Sequence, residues 1–565
     1  MHICYIMRRR TPFVAFLASA APRVLVTWSY MLLRPGFVYS GSYSTSVVNE
    51  NLSSLKMSNT NNSAIDPSSV EPELYDLAVI GGGCSGLAAA KEAARLGAKT
   101  VLFDYVRPSP RGTKWGLGGT CVNVGCIPKK LMHYAGILGH AEHDREMLGW
   151  SDASPKHDWS KMIQTIQNYV KMLNFSYRSG LLTTGVKYIN AFATLEKDHQ
   201  VSYLGPNGPE RIKAKHILIA IGTRPIIPEE VKGAYEYSIT SDDLMSLSHP
   251  VGKTLIVGGS FVALECAGFL TALGYDVTVA VRSIILRGFD RQCAEKVGDL
   301  MENMGTRFIR GSSPTSVTKL ADGKLEVTFD NGHVETYDTL MYATGRKLHG
   351  IYKYLSDLGI KFSKSGLIET DNGMTGYPNV YAVGDVAEGN PALATVAVKD
   401  GEMLARRLFG NSNKLMDLNY VPMCVFTPIE YGKCGLSEEE AVKKYGDVDI
   451  YLKEFTSLEF SAVHRHKVEW MQTDEMDVDM PPTCLSKMIC KKDGTIVGIH
   501  FVGPNAGEII QGLCVAVRLG AKKSDFDDTI GVHPTDAESF MNLTVTKASG
   551  ESWVQSAGCG GGRCG

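Results

Sequence analysis

The first acidic residue of this chain is Glu50; Asp and Glu are absent before it. No apolar run reaches the roughly 18–20 residues that cross a bilayer, so no transmembrane helix is predicted. Cysteine is sparse, 13 in 565 residues, which is too dilute for a disulfide scaffold. Net charge is nearly absent at −2, so there is no electrostatic footprint for nucleic acid. Glycine is abundant instead, at 58 residues, well above the average of about 7%. The length suggests about three or four domains.

The acid-free start carries Arg8, Arg9, Arg10, Arg23 and Arg34, and the stretch from Tyr39 to Ser69 is rich in Ser and Thr. That is the composition of a mitochondrial transit peptide. Phe13 to Ala21 is a short apolar run ending in small residues, and it also fits a secretory signal. A bland extension is the third reading. Met57 offers a start for a shorter cytosolic form. The expectation is a mitochondrial and/or cytoplasmic protein.

Leu74 to Ile80 reads as a buried strand running into Gly81-Gly82-Gly83-Cys84-Ser85-Gly86, and Leu87 to Leu96 reads as a helix. A second strand ends at Asp104, 18 residues after Gly86. This is a dinucleotide fingerprint in its full context. Gly81 makes the tight turn, Gly83 admits the pyrophosphate, Gly86 lets helix and strand pack closely, and Asp104 is placed for a ribose hydroxyl. A second copy begins at Leu255-Ile256-Val257, followed by Gly258, Gly259, Ser260 and Ala263. Ser260 replaces the second glycine and Ala263 the third. Where the first copy has Asp104, the second has Val281, with Arg282 next and Arg287 nearby. An acid repels a 2′-phosphate and an arginine pairs with it, so this site is expected to prefer NADPH. Two dinucleotide sites in one chain imply electron transfer, with a nicotinamide at the second and a flavin, FAD, at the first. Val380 to Ala387 reads as a further strand whose Asp385 is placed for a flavin contact.

Between Asp104 and the second copy lies Gly118-Gly119-Thr120-Cys121-Val122-Asn123-Val124-Gly125-Cys126-Ile127-Pro128-Lys129-Lys130. Gly119 and Thr120 allow close backbone approach to a flavin ring, and the lysines favour thiolate. Cys84, Cys266 and Cys514 read as small core residues.

The segment Cys121 to Lys130 strongly resembles the active site of the flavin-dependent pyridine nucleotide–disulfide oxidoreductases. Gly258 to Cys266, Val383-Gly384-Asp385 and His533 to Glu538 extend the resemblance over about residues 72–565, in family order. The resemblance implies that Cys126 faces the flavin and that Cys121 is the interchange thiol. It implies that Lys129 pairs with Glu265, and that His533 of the partner subunit is the acid–base, oriented by Glu538. It also implies a homodimer. Phe261 stands where many relatives carry tyrosine, and Leu393-Ala394-Thr395-Val396-Ala397 departs from the usual Leu-Thr-Pro-Val-Ala.

The chain ends Gly558-Cys559-Gly560-Gly561-Gly562-Arg563-Cys564-Gly565. The glycines suit a mobile arm, and the short loop makes a Cys559–Cys564 disulfide feasible. This ending resembles the redox extension of the large thioredoxin reductases, in the form with two cysteines known from protozoan parasites. It implies a relay from NADPH through FAD and Cys121–Cys126 to the tail of the partner subunit, and then to thioredoxin. A glutathione reductase with an inert tail is the enzyme alternative. A flavoprotein that senses NADPH without turnover is the alternative from another class.

The expected fold is α/β: two doubly wound dinucleotide-binding domains plus an α+β dimerisation domain. The expected boundaries are an extension at 1–70, the FAD domain at 71–240 and 349–418, and the NADPH domain at 241–348. The interface domain is expected at 419–545 and a mobile redox tail at 546–565. No metal site is expected.

Overall fold

The computed structural model describes residues 72–151, 156–463 and 482–555. Strand β1 (Glu73–Ile80), helix α1 (Cys84–Arg95) and β2 (Thr100–Phe103) form the first βαβ unit, its two strands paired in parallel. Leu77 to Ile80 and all of β2 are buried, because both sheet faces are covered: Leu77, Val79 and Leu102 pack with Leu87, Ala90 and Ala93 of α1, and Ala78, Ile80, Val101 and Phe103 pack with Ala193, Val201 and Tyr203. Helices α2 (Gly119–Val124), α3 (Cys126–Met147) and α4 (Trp159–Thr183) follow, then β3 (Lys187–Ile189), β4 (Ala193–Leu195), β5 (Gln200–Gly205) and β6 (Gly208–Ile219). The parallel part of the sheet runs β3-β2-β1-β6. The far edge of β6 is shared. Its first half pairs antiparallel with β5, and its last residues pair parallel with Val380–Ala382. That late strand returns only after the second nucleotide fold, which is therefore an insertion.

Helix α1 packs on the helix Ala394–Phe409. Close approach needs Gly401, where a Cβ would lie 2.3 Å from the Ser85 carbonyl oxygen. Glu92 of α1 ties the pair together through Arg406 Nε at 2.6 Å.

The inserted fold is a five-stranded parallel sheet in the order Arg307–Arg310, Val277–Val281, Thr254–Val257, Thr339–Tyr342, Ile239–Thr240. Its last edge strand precedes the expected start at 241. The helix Phe261–Ala272 has no polar face, since its residues from Ala263 to Leu270 are buried. It lies between its own sheet, α3 and the third domain, and a helix covered on every side is apolar nearly all round; Glu265 is its one charged residue. Gly139 of α3 admits it closely, because a Cβ there would lie 2.8 Å from the Ala272 carbonyl oxygen. One continuous core joins Met132 of α3, Leu264 and Phe269 of this helix, and Val425, Tyr431 and Leu485 of the third domain.

The third domain is an antiparallel sheet in the order Met423–Val425, Glu430–Gly435, Ile496–Gly503, Cys484–Lys491, Val448–Phe455. Buried Lys487 pins it to the insertion, donating to Asp290 at 2.9 Å and Glu438 at 2.6 Å. Among the described residues, no helix is long and apolar enough to cross a membrane.

Several sequence expectations need correction in detail. The strand expected over Val380 to Ala387 stops at Ala382, and Gly384–Val386 forms a 3-10 turn with Gly384 at φ +74°. Asp385 therefore sits on the turn rather than at the strand's end. Residues 546–565 were expected to form a mobile tail, yet the described part, Thr546 to Gln555, runs along the edge strand Val448–Phe455. Lys547 N–H donates to the Ile450 carbonyl at 2.8 Å, and Gln555 N–H donates to the Glu454 carbonyl at 2.9 Å. An unpaired edge strand offers such bonds to any adjacent extended chain.

Candidate active site

The turns that follow β1, β2, β6 and Val380–Ala382 converge on one cavity of about 500 Å³, at the carboxyl ends of the parallel strands. Open α/β sheets bind ligands there. Gly81, Gly83, Asp104, Gly119, Thr120, Cys121, Cys126, Lys129, Asp385 and Ser260 all line it. Gly81 is at φ +114°, and a Cβ on Gly86 would lie 1.9 Å from the Gly81 carbonyl oxygen. The two glycines thus do what the fingerprint requires, and the N–H groups opening α1 face the cavity for phosphate. Asp104 is half-buried at the cavity wall; burial pushes its carboxyl up to about 6, while the Gly82 N–H donates to it at 2.9 Å. These features fit FAD: a cavity at the strand ends, a turn whose Gly81, Gly82 and Gly86 leave no space for a Cβ, and an acid beside it.

Cys121 lies in α2, and Cys126 is the first residue of α3. Cys126 is open to the cavity. A hydrogen bond from Cys121 is the largest influence on its thiol. With the Lys129 ammonium, that bond overcomes burial and lowers the thiol to about 7. Cys121, hydrogen-bonded to Cys126, is held strongly in the protonated form. The helix N-terminus adds to the thiolate preference of Cys126. In the reduced protein, alkylation of Cys126 by iodoacetamide is expected to rise with pH and reach half its maximal rate near pH 7. Cys121→Ala should move that midpoint upward. A midpoint near the ordinary thiol value in the unaltered protein would refute the assignment of the thiolate.

Lys129 is buried and ion-paired with Glu265. Burial alone would lower its affinity for a proton, but the Glu265 carboxylate outweighs it and raises the ammonium's pKa. Glu265 Oε1 also accepts the Phe426 N–H at 2.8 Å, which joins the pair to the third domain. Phe261 lines the cavity with the Lys129 ammonium 5.0 Å from its ring centre. Phe261 thus keeps an aromatic ring at the cavity wall where many relatives carry tyrosine.

Sequence reasoning missed three contributors. Arg346 donates to Thr120 Oγ1 at 3.3 Å and to the Thr223 carbonyl at 2.6 Å, bridging the cysteine loop to the turn after β6. Its Ala343-Thr344-Gly345-Arg346 segment follows the strand Thr339–Tyr342. Asn174 donates to the Leu117 carbonyl at 2.6 Å and to Asn123 Oδ1 at 2.9 Å, clamping the glycine loop before Cys121. No local signal marks Asn174, which sits mid-helix far along the chain. Cys84 is also not the core residue expected: it is half-buried and lines the cavity. Cys266 and Cys514 are buried as expected.

The second fingerprint is built like the first. Gly258 is at φ +136°, with the Ala343 carbonyl oxygen 2.5 Å from where a Cβ would be. Ser260 caps the helix Phe261–Ala272, its hydroxyl accepting from the Ala263 N–H at 3.5 Å. Serine in place of glycine is thus explained by capping. Ser260→Ala is expected to destabilise the insertion by about 1 kcal/mol in denaturant unfolding. Arg282 and Arg287 are exposed in the loop after Val277–Val281. That loop touches the glycine turn, since Leu286 N–H donates to the Gly259 carbonyl at 2.7 Å.

His533 and Glu538 meet through Nδ1···Oε1 at 3.0 Å, with Glu538 buried and the imidazole about half exposed. The peptide bond His533–Pro534 is cis. The pair is not among the residues around the cavity of its own chain. Cys559 and Cys564 lie outside the described residues, as does the N-terminal extension.

Residues 75–401 match the pyridine nucleotide-disulphide oxidoreductase family, and residues 421–544 match that family's dimerisation domain. A protein named thioredoxin reductase from Plasmodium falciparum (isolate FCH-5) is 54% identical over 501 residues, covering 87% of this chain and 92% of that protein. Thioredoxin reductase SEP1 of Emiliania huxleyi is 45% identical over 504 residues, covering 86% and 99%. With the glycine cradles, the paired cysteines and these matches together, the chain belongs to the pyridine nucleotide–disulphide oxidoreductases.

Proposed function

We propose that this chain is a homodimeric thioredoxin reductase that uses NADPH and FAD. The observation that carries the reading is the Cys121–Cys126 pair, placed in one cavity with a FAD-type glycine cradle and the Lys129–Glu265 ion pair. Relatives named thioredoxin reductase over almost the whole chain point to the substrate. FAD, when bound, supplies two-electron exchange between a nicotinamide and a disulfide.

The chain's own residues do the rest. Lys129 and the start of α3 hold negative charge on Cys126 Sγ. Cys121 Sγ attacks the Cys559–Cys564 disulfide of the partner subunit's tail and forms a mixed disulfide. Cys126 Sγ then attacks Cys121 Sγ, and the tail leaves as a dithiol, which reduces the disulfide of thioredoxin. The partner subunit's His533 holds and returns the proton at the interchange sulfur, and Glu538 fixes its tautomer through Nδ1. A protein disulfide cannot reach the cavity, so a mobile carrier solves an access problem. Because chain as far as Gln555 is bonded to the edge strand, the swing is assigned to residues beyond it.

Arg282 and Arg287 are assigned to the 2′-phosphate of NADPH. Replacing both by Ala should raise KM for NADPH by about 10-fold or more while changing that for NADH little, because each charge-assisted bond contributes roughly 1.5–3 kcal/mol. Equal use of the two nucleotides by the unaltered enzyme would refute this. For the N-terminal 70 residues the composition supports mitochondrial import, with Met57 starting a cytosolic form. Fluorescent fusions beginning at Met1 and at Met57 test this by where they accumulate.

A further inference from the structure

Between Lys547 and Gln555 every residue is exposed except Trp553, which packs against the core shared by the three domains. Backbone bonding to the edge strand Val448–Phe455 lapses after Lys547, where the chain turns with Gly550 at φ +75°, and resumes at Trp553. One residue, Glu454, makes the second attachment. Its N–H donates to the Trp553 carbonyl at 2.8 Å, and its carbonyl accepts the Gln555 N–H at 2.9 Å. Its Oε1 accepts the Trp553 indole N–H at 3.3 Å. Its Oε2 accepts from Lys296 Nζ at 2.9 Å. Lys296 belongs to the helix Arg291–Asn303 of the inserted nucleotide fold, and the pair is largely buried, with side chains 10% and 17% exposed. Covering a strand edge requires only backbone bonds. Here all the polar groups of one residue are engaged, three of them by Trp553 and Gln555, and a lysine from another domain orients its carboxylate.

We propose that Trp553 and Glu454 are positioning residues of the thiol relay: together they fix the point from which the redox arm swings to Cys121 of the partner subunit. The proposal rests on the reading that Cys559 and Cys564 carry the electrons. Neither Trp553 nor Glu454 touches a reacting sulfur. They act by keeping the tether short.

The length of that tether follows from the attachments. Cys559 lies four residues past Gln555 and twelve past Lys547. Lys547 is the next point at which the chain is held, by its N–H on the Ile450 carbonyl and its ammonium on Glu438 at 2.6 Å. An extended chain spans at most about 3.5 Å per residue, so the two points allow a reach of about 14 Å and about 42 Å. Once a tether can span its gap, the local concentration of the group it carries falls roughly as the −3/2 power of its length, so moving the attachment back to Lys547 dilutes the tail about 5-fold.

The test uses the full-length, FAD-loaded dimer. Trp553→Ala removes the packed indole and leaves the cavity intact. Hydrogen exchange at the Gln555 N–H should accelerate. Turnover with thioredoxin should fall about 5-fold, with KM for NADPH and the rate of flavin reduction by NADPH unchanged. Glu454→Gln, which keeps the side chain's length and removes its charge, should lie between this variant and the unaltered enzyme. Inserting four glycines after Ser556 reports tether length itself. In the unaltered chain it doubles the path to Cys559 and should lower turnover about 3-fold, whereas in Trp553→Ala the path is already long and the loss should be less than about 2-fold. The proposal is overturned if Gln555 stays protected in Trp553→Ala, if it is released while turnover is unchanged, or if the insertion lowers turnover by the same factor in both chains. Failure of the underlying relay looks different: Cys564→Ser would reduce thioredoxin at the unaltered rate.

Discussion

A chain ending at Ser556 is expected to lose at least about 100-fold in NADPH-dependent thioredoxin reduction, the scale set by losing an intramolecular partner. The measurement is steady-state turnover with thioredoxin, beside the rate at which NADPH bleaches the flavin absorbance. The second rate should be unchanged. The truncation keeps the whole segment bonded to the edge strand, including Gln555 on the Glu454 carbonyl and the Trp553 indole on Glu454 at 3.3 Å. The core is not touched, so lost turnover cannot be ascribed to unfolding. Undiminished thioredoxin reduction would sink the relay and leave a directly reducing enzyme with an inert tail. Cys564→Ser should behave like the truncation, because a single tail sulfur cannot cycle between dithiol and disulfide.

Replacing the imidazole should cost nearly as much. His533→Gln is expected to lower turnover by about 10²–10⁴-fold, the usual contribution of a positioned acid–base. Reduction of the flavin by NADPH, which needs no proton at the interchange sulfur, should be spared. Glu538→Gln should cost less, since the ring would keep its place and lose only the carboxylate that selects its tautomer. The imidazole is absent from its own chain's cavity wall, and this makes a sharper test available. Co-expression of His533→Gln with Cys126→Ser gives mixed dimers. If His533 acts across the interface, one of the two sites in each mixed dimer is intact, and activity returns. If it acts within its own chain, both sites are dead and nothing returns.

Local sequence alone determined the chemistry of this protein. Gly81 and Gly86 announce a turn that no side chain permits, and Cys121, Cys126 and Lys129 announce a polarised thiol pair. Such features are legible because a turn, a helix start and a short spacing are decided by neighbours along the chain. The strand at Val380–Ala382 was legible as an element, but only pairing with β6 showed where it stops and that Asp385 stands on a 3-10 turn. Tertiary structure decided the rest. Arg346 and Asn174 enter the site through contacts spanning 226 and 57 residues of sequence, and no pattern within one segment encodes such a distance. The apolar helix Phe261–Ala272 reads as generic core until the fold surrounds it with three domains. The segment from Thr546 to Gln555 reads as part of a free tail until an unpaired strand edge supplies its hydrogen bonds. Cys84 reads as a filler in a glycine motif, and only the fold shows that it lines the same cavity as Cys121. Proximity between residues far apart in the chain is a property of packing, and that is where the sequence falls silent.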